Sequence, residues 1–266
     1  MFDFWPVYKR EVKAFFQSPS TYVVLALFFL IVGLIFSLQM IEFSAASSQA
    51  GQMEMTGRMS QAPNVTEWII RGSFGVMSSI IMFTIPLLAM RLVAEEKSRG
   101  TFELLVTCPI GDWSILLGKY FALLTVGLGI VLLSAVFPAI VWWAGRANQS
   151  YPEWPVVLSC WVGLFLIFAT YAAFGLMASS FTESQITAAI ITLIGLILWF
   201  IIGGVSNMLS GYPVLQKIMQ EVSAQQHTEN FNKGVLLLKD FGFYILSSFL
   251  FLFIASKTLD ARRWRV

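Results

Sequence analysis

YVVLALFFLIVGLIFSLQM, residues 22–40, is a run of 19 residues without a charged side chain. The hydrocarbon core of a bilayer is about 30 Å thick, and a helix needs about 20 mostly apolar residues to cross it. Backbone groups cannot remain unpaired in lipid, which makes the helix the sensible spanning structure for such a run. The stretch therefore predicts a membrane-spanning helix.

The rest of the chain repeats this pattern. Hydrophobic residues make up 57% of the 266 residues and charged residues only 12%, against about 25% in an ordinary soluble domain. The sequence thus predicts an all-α membrane protein, with one transmembrane domain over residues 1–266. The predicted spans are residues 22–40, 72–90, 115–143, 156–179, 186–208 and 239–257.

The sixth predicted span is the shortest. Its charge-free part, residues 241–256, has only 16 residues. It can cross the bilayer only if Lys239 and Lys257 extend to the two interfaces, or if residues 236–238 lengthen it.

The Lys and Arg residues are divided unevenly between the two sides of the membrane. Six spans place eleven of them on the side of both termini and six on the other. Because cytoplasmic loops carry the excess of positive charge, both termini are predicted to be cytoplasmic. The eleven are Lys9, Arg10, Lys13, Arg91, Lys97, Arg99, Lys119, Lys257, Arg262, Arg263 and Arg265. A net charge of only +2 disfavours nucleic acid as a partner.

Residues 1–21 precede the first span and are predicted to form a cytoplasmic amphipathic helix in the membrane interface. Apolar side chains alternate there with Lys9, Arg10, Glu11 and Lys13, and Pro19 interrupts the helix. Two interpretations stay open for this helix. It either anchors the chain and sets its topology, or it presents a surface to a cytoplasmic partner.

Residues 91–113 follow the second span. Glu95 and Arg99 are spaced i,i+4 in the favourable order, Gly100 suits a helix end, and Thr101 is a candidate N-cap. The apolar residues that follow, Phe102 among them, are not needed in a solvated loop. The segment therefore predicts a compact cytoplasmic helix-turn-helix with a surface for a partner. The alternative is a capped turn that only sets topology.

Two segments are assigned to the outer side. Residues 42–71, rich in Ser, Gln and Met, are expected to form a flexible loop. In the extracytoplasmic segment 209–238, apolar residues recur at helical spacing, which indicates an amphipathic or partly re-entrant helix. His227 is the only histidine of the chain, and with Glu229 alone it makes no credible metal site, so we predict no bound metal.

The composition of the spans argues against several functions. No ionisable residue is expected deep in a span, which disfavours ion-coupled transport and an intramembrane protease. The chain has no phosphate-binding loop of the Gly-x-x-x-x-Gly-Lys-Ser/Thr type, so it cannot itself hydrolyse ATP. We therefore predict that the protein is not an enzyme.

Three motifs carry a resemblance to a known family. EEKSRGTFELL at residues 95–105, followed by Pro109, Trp113 and Gly118–Lys119, resembles the signature of ABC-2 type permeases, the membrane subunits of ATP-driven exporters. YKREVKAFF at residues 8–16 and HTENFNKGV at residues 227–235 are similar to the permease of gliding-motility-type ABC transporters. The apolar residues 236–238 depart from that pattern.

The resemblance implies a six-span permease with an N-terminal elbow helix, a cytoplasmic coupling helix and an outer gate between spans five and six. The elbow helix contains Lys9, Arg10, Glu11 and Lys13. The residues that contact the ATPase would be Glu95, Glu96, Arg99, Gly100, Thr101, Phe102, Glu103, Leu104 and Leu105. The outer gate segment would contain Tyr212, Ile218, His227, Glu229, Phe231 and Gly234. The last segment is equally well explained as an interfacial helix that seals the bundle.

The resemblance also implies partners and a location. A dimer of cytoplasmic ATPase subunits would bind ATP and magnesium, whereas the permease itself would bind no cofactor. A second permease copy or a homologous permease would complete the pathway among membrane lipids, with a further subunit that has a large extracytoplasmic domain. The location implied is the inner membrane of a bacterium. The function would be export or conformational work driven by ATP, and the alternative is a scaffold that transmits force without transport.

Overall fold

A computed structural model describes residues 4–55, 63–98, 100, 111–146, 151–206 and 212–263. Within these ranges the fold is helical and contains no β-strand. Six helical segments are long and apolar enough to cross a membrane, which confirms the predicted fold class. They are Pro19–Met53, Thr66–Ser98, Asp112–Gly145, Trp154–Phe181, Gln185–Val205 and Leu238–Ala261.

We number the α-helices of the described residues in chain order. The N-terminal half contains α1 (Phe4–Gln17), α2 (Pro19–Met55), α3 (Gly72–Ala89), α4 (Ala94–Ser98), α5 (Asp112–Leu133) and α6 (Val136–Gly145), with a π-helical turn (Thr66–Arg71) before α3. The C-terminal half contains α7 (Trp154–Phe181), α8 (Gln185–Ser206), α9 (Pro213–Val222), α10 (Ala224–Asn232) and α11 (Leu238–Arg263).

The fourth spanning helix, α7, lies at the centre of the bundle. It packs against α3, α5, α8, α10 and α11. Small residues allow the close approach, as is usual between membrane helices. A Cβ atom added to Gly175 would lie 2.6 Å from the Cβ of Ala89 on α3. By contrast, α2, α8 and α11 expose large apolar side chains, which suits contact with lipid.

In the region expected to be a flexible loop, residues 42–71, the described residues 42–55 and 66–71 are helical, so the prediction was wrong for them. Helix α2 continues to Met55, and Thr66–Arg71 form a π-helical turn that leads into α3. The Ala, Met, Gln and Glu residues after Met40 have high helix propensity, and no Pro or Gly follows until Gly51. At 37 residues, α2 is about 55 Å long and exceeds the bilayer core.

The outer segment forms two short helices where one was predicted. Helix α9 has no buried residue, whereas α10 buries Ala224, His227, Thr228 and Phe231. Ser223 separates the two helices and caps α10 by accepting a hydrogen bond from the backbone N–H of Gln226. The second helix is therefore part of the packed core.

Candidate functional site

A buried lysine joins three elements at the end of the bundle assigned to the cytoplasm. Lys119 of α5 is only 1% exposed. Its Nζ donates a hydrogen bond to Glu11 Oε1 of α1 at 3.1 Å and forms an ion pair with Glu96 Oε2 of α4 at 2.9 Å. Arg10 contacts the same two carboxylates, at 2.7 Å to Glu11 and 2.5 Å to Glu96. We call these four residues the Lys119 cluster.

The packing of α1 against α5 places the cluster. Gly118 leaves room for Val7, since a Cβ atom there would lie 2.8 Å from a Val7 methyl group. One turn further along α1, Glu11 reaches Lys119, and the hydroxyl groups of Tyr8 and Thr125 are hydrogen-bonded at 3.0 Å. The elbow helix is thus attached to the third span by apolar, polar and ionic contacts.

The pKa of the Glu11 carboxyl is lowered within the cluster. Burial alone would raise the pKa of its carboxyl, but the attraction of Lys119 and the hydrogen bond from Arg10 outweigh it. The pKa of Glu11 is therefore held below its ordinary value of 4.5. The carboxylate is ionised at neutral pH and can compensate the buried ammonium.

The short helix α4 is anchored to the end of the fourth span. The backbone N–H groups of Val93 and Ala94 donate to Ser179 Oγ at 3.2 and 3.0 Å, and Lys97 Nζ donates to the carbonyl of Ser180 at 2.5 Å. The adjoining Arg91 donates to Ser18, between α1 and α2, and to Ser20 in the first turn of α2. The segment that leads into residues 101–110 is therefore held by three parts of the bundle.

The predicted ATPase contacts divide into two groups. Glu95, Glu96 and Gly100 are described, whereas Arg99 and residues 101–105 lie outside the described residues. Glu96 faces inward to Lys119, and Glu95 forms an i,i+4 pair with Arg91 at 3.5 Å. Gly100 has φ of 68°, the left-handed conformation that favours glycine after a helix.

The elbow residues also differ in their roles. Arg10 and Glu11 belong to the Lys119 cluster, Lys9 lies over the ring of Trp5 at 5.2 Å, and Lys13 is exposed. Lys119 was predicted as one of the cytoplasmic positive charges and as part of the motif that resembles ABC-2 permeases, but not as a buried residue. The signal for its burial was the adjacent Gly118, which indicates a close helix contact at that level.

A second buried polar cluster lies at the opposite end of the bundle. The carboxylate of Asp240, at the start of α11, is fully buried. Its Oδ1 lies 2.5 Å from His227 Nδ1, and its Oδ2 accepts a hydrogen bond from Asn230 at 2.9 Å. The other ring nitrogen of His227 lies 3.1 Å from the carbonyl of Glu221. These contacts fix α10 between α9 and α11.

The other predicted gate residues differ in how deeply they are buried. Phe231 is fully buried, whereas Tyr212 and Ile218 are exposed. Glu229 forms an i,i+4 pair with Lys233 at 3.8 Å, and Gly234 ends α10 with φ of 79°. In the described part of the chain, no three His, Cys, Asp or Glu side chains are grouped as metal ligands. The role of Asp240 was missed because its partners lie 10 and 13 residues away.

Comparison with known proteins identifies the family. A family model described as ABC-2 family transporter protein matches residues 5–255. The chain belongs to the ABC-2 family. A search of the curated proteins found no match. As a member of this family, the protein is a multi-pass membrane component of an ABC transporter, its permease subunit, and the family implies partnership with an ABC ATPase.

We predict that Lys119→Met destabilises this ABC-2 protein by about 3 kcal/mol. The substitution keeps the apolar stem but removes the buried cation that faces two partly buried carboxylates. Thermal unfolding in detergent measures the effect. The matched control is Lys257→Met, which removes an exposed i,i+3 pair with Asp260 worth less than about 0.5 kcal/mol. Equal shifts in Tm for the two variants would contradict a structural role for the Lys119 cluster.

The lowered pKa of Glu11 predicts a defined pH dependence. The unfolded chain binds the proton more tightly, so this stabilisation is complete above the unfolded pKa and is lost as pH falls through the lower folded pKa. The difference in Tm between wild type and Glu11→Gln should be largest near neutral pH and shrink below about pH 4.5. A difference that grows on acidification would refute this assignment. Glu67→Gln, at an exposed i,i+4 pair, serves as the control.

Asp240→Leu should lower the free energy that is needed to detach α10 from the bundle by about 3 kcal/mol, because it removes the hydrogen-bond acceptor of His227 and Asn230. The buried thiol of Cys160 reports this change, since it contacts the carbonyl groups of Phe231 and Asn232 on α10. In a Cys108→Ser background, maleimide should label Cys160 faster in Asp240→Leu than in wild type. Asp260→Leu, at an exposed site, should leave the rate unchanged; acceleration in both variants would show an unspecific effect.

Proposed function

We propose that this ABC-2 permease couples ATP hydrolysis by a separate cytoplasmic ATPase dimer to export or conformational work across the membrane. ATP and magnesium would bind to the ATPase, and no cofactor to this chain. The observation that carries the proposal is the Lys119 cluster. It connects the base of the predicted coupling segment to the elbow helix and to a spanning helix.

The proposed mechanism is mechanical. The ATPase would bind residues 95–105 and displace α4 when its two subunits close on ATP. Since Glu96 is tied to Lys119 and Arg10, and α4 is tied to Ser179, the displacement would move α1, α5 and α7 together. Rigid elements held by short polar contacts transmit such a movement better than a solvated loop does.

The assembly that we propose has further parts. A second copy of this chain, or a homologous permease, would pair with it in a bacterial inner membrane, with both termini in the cytoplasm. The segment from Tyr212 to Gly234 would act as the outer gate. The motifs at both ends of the chain favour a gliding-motility-type system, in which a subunit with a large extracytoplasmic domain would join the complex.

Affinity purification from the native membrane in mild detergent tests the proposal. Wild type and Glu221→Lys, a charge reversal at an exposed outer site, should both recover an ATP-binding subunit. Glu96→Lys and Phe102→Asp should recover at least about tenfold less, since a tenfold loss needs only about 1.4 kcal/mol. Phe102→Asp changes none of the four residues of the Lys119 cluster and so separates loss of the contact surface from disruption of the cluster.

Two results would overturn the proposal at different levels. Full recovery with Glu96→Lys and Phe102→Asp would place the ATPase contact elsewhere on the chain. Absence of any ATP-binding subunit in the wild-type sample would refute the coupling itself. ATP-dependent flux in proteoliposomes that contain the recovered complex distinguishes export from conformational work alone.

A further inference from the structure

A cavity of about 620 Å³ lies between α2, α3, α7, α8 and α10 in the half of the bundle assigned to the outer side. On α3 its lining extends from Gly72 to Ile80, a rise of about 12 Å along the helix. The cavity is therefore long enough to accept part of an extended molecule. It is separate from the Lys119 cluster.

The polarity of the lining changes along this length. The outer end contains Gln39, Arg71, Gln225, Glu229 and Asn232. The deeper end is lined by Ile80, Ile167 and Tyr171, together with Ser78 and Ser79. The two serine hydroxyls donate to carbonyl groups of their own helix, so this end offers a ligand mainly apolar contacts. A ligand that satisfies both ends must be amphiphilic, with a polar head towards the outside and an apolar part towards the centre of the bilayer.

Opposite charges line the outer end of the cavity. Arg71 pairs with Glu67 at 2.8 Å and contacts the carbonyl of Lys233 at 3.4 Å. Glu229, one helical turn before Lys233, pairs with the Lys233 ammonium at 3.8 Å. One cation, Arg71, and one carboxylate, Glu229, therefore face the same cavity.

The guanidinium group of Arg71 keeps N–H donors for a ligand at this end. It carries five N–H groups, and its two terminal nitrogens donate to Glu67 and to the carbonyl of Lys233. The Nε atom is itself buried, so a ligand in the cavity would bind the terminal nitrogens. Guanidinium groups bind phosphate oxygens well, and a phosphate placed beside Arg71 would accept from these nitrogens. An amine on the same head group would then be adjacent to Glu229.

We propose that this cavity binds a zwitterionic amphiphile, with its phosphate at Arg71, its amine at Glu229 and its acyl part against the apolar end. A lipid with a phosphoethanolamine head group has this chemistry. An anionic head group would leave Glu229 facing negative charge, and a head group without phosphate would give the Arg71 guanidinium no anionic partner in the cavity. As a transport substrate site the cavity rests on the function proposed above, whereas binding itself does not.

Binding to the purified full-length chain in detergent tests the proposal without any ATPase. The probes are phosphatidylethanolamine, phosphatidylglycerol and diacylglycerol, each with the same fluorescent acyl chain. Phosphatidylethanolamine should bind at least about tenfold more tightly than the other two. Water-soluble glycerophosphoethanolamine should compete only weakly, because it lacks the apolar part.

Variants assign the binding to this cavity. Gly75→Leu fills it without a backbone clash, since a Cβ atom at Gly75 would lie 3.9 Å from its nearest neighbour, Asn232 Nδ2. It should weaken phosphatidylethanolamine binding at least about tenfold. Gly242→Leu, at an exposed glycine with no neighbouring atom within 4 Å, is the matched control and should bind as wild type does.

Two charge variants test which residue binds the phosphate of the head group and which binds its amine. Arg71→Gln should reduce phosphatidylethanolamine binding to the level of diacylglycerol. Glu229→Gln, at a half-exposed position that tolerates the change, should remove the preference over phosphatidylglycerol. Each variant should retain the thermal transition of the wild type in detergent.

Equal binding of the three lipids would overturn the proposal, as would a Gly75→Leu variant that binds like Gly242→Leu. Strong competition by glycerophosphoethanolamine would show that the site binds a free head group without an acyl chain, and this result would also contradict the proposal. Lipid binding without recovery of an ATPase would leave this proposal standing and refute the proposed function. Recovery of an ATPase without selective lipid binding would refute the lipid site alone.

Discussion

The ammonium group of Lys119 constrains the whole end of the bundle that is assigned to the cytoplasm. A fully buried charge is costly unless opposite charges and hydrogen bonds compensate it. Here the compensation comes from Glu11 on α1, the predicted elbow helix, and from Glu96 on α4. If either helix moved away, Lys119 would lose one of its two carboxylate partners. Arg10 bridges the same carboxylates and balances the cluster to two cations and two anions. Three separate parts of the chain thus act as one unit.

At the opposite end of the bundle a buried charge is likewise compensated, there by a histidine and an amide. The buried carboxylate of Asp240 is compensated by His227 and Asn230, which draws α10 against the start of α11. Phe243 stacks on the His227 ring at 4.1 Å, and the Tyr244 hydroxyl bonds with Thr228 at 2.7 Å. Lipid cannot supply such partners, so polar residues at this depth must find them within the bundle.

The fold was largely predictable from sequence, whereas the sites were predictable only in part. Apolar runs of 16 or more residues identified the six spans because composition alone decides entry into the bilayer. The apolar run that predicted the first span ends at Met40, whereas α2 continues to Met55. The Ala, Ser, Gln and Met residues of this extension occur in polar loops as well as in helices, so the sequence did not distinguish the two. Lys119 and Asp240 were not recognised as buried, because their partners come from other elements and depend on tertiary packing. The local motif at residues 95–105 needed no such information to suggest a coupling surface.

The two ends of the molecule are connected through α3 and α7. Gly175 lets these helices approach closely, since a Cβ atom there would lie 2.6 Å from the Cβ of Ala89. At the end assigned to the cytoplasm Ser179 of α7 binds the backbone of α4, and eight residues away on the same helix Tyr171 lines the cavity. A displacement of α4 that moved α7 by about an ångström would therefore change the wall of the cavity directly. In the function proposed above, this helix pair would carry the movement of α4 to the cavity.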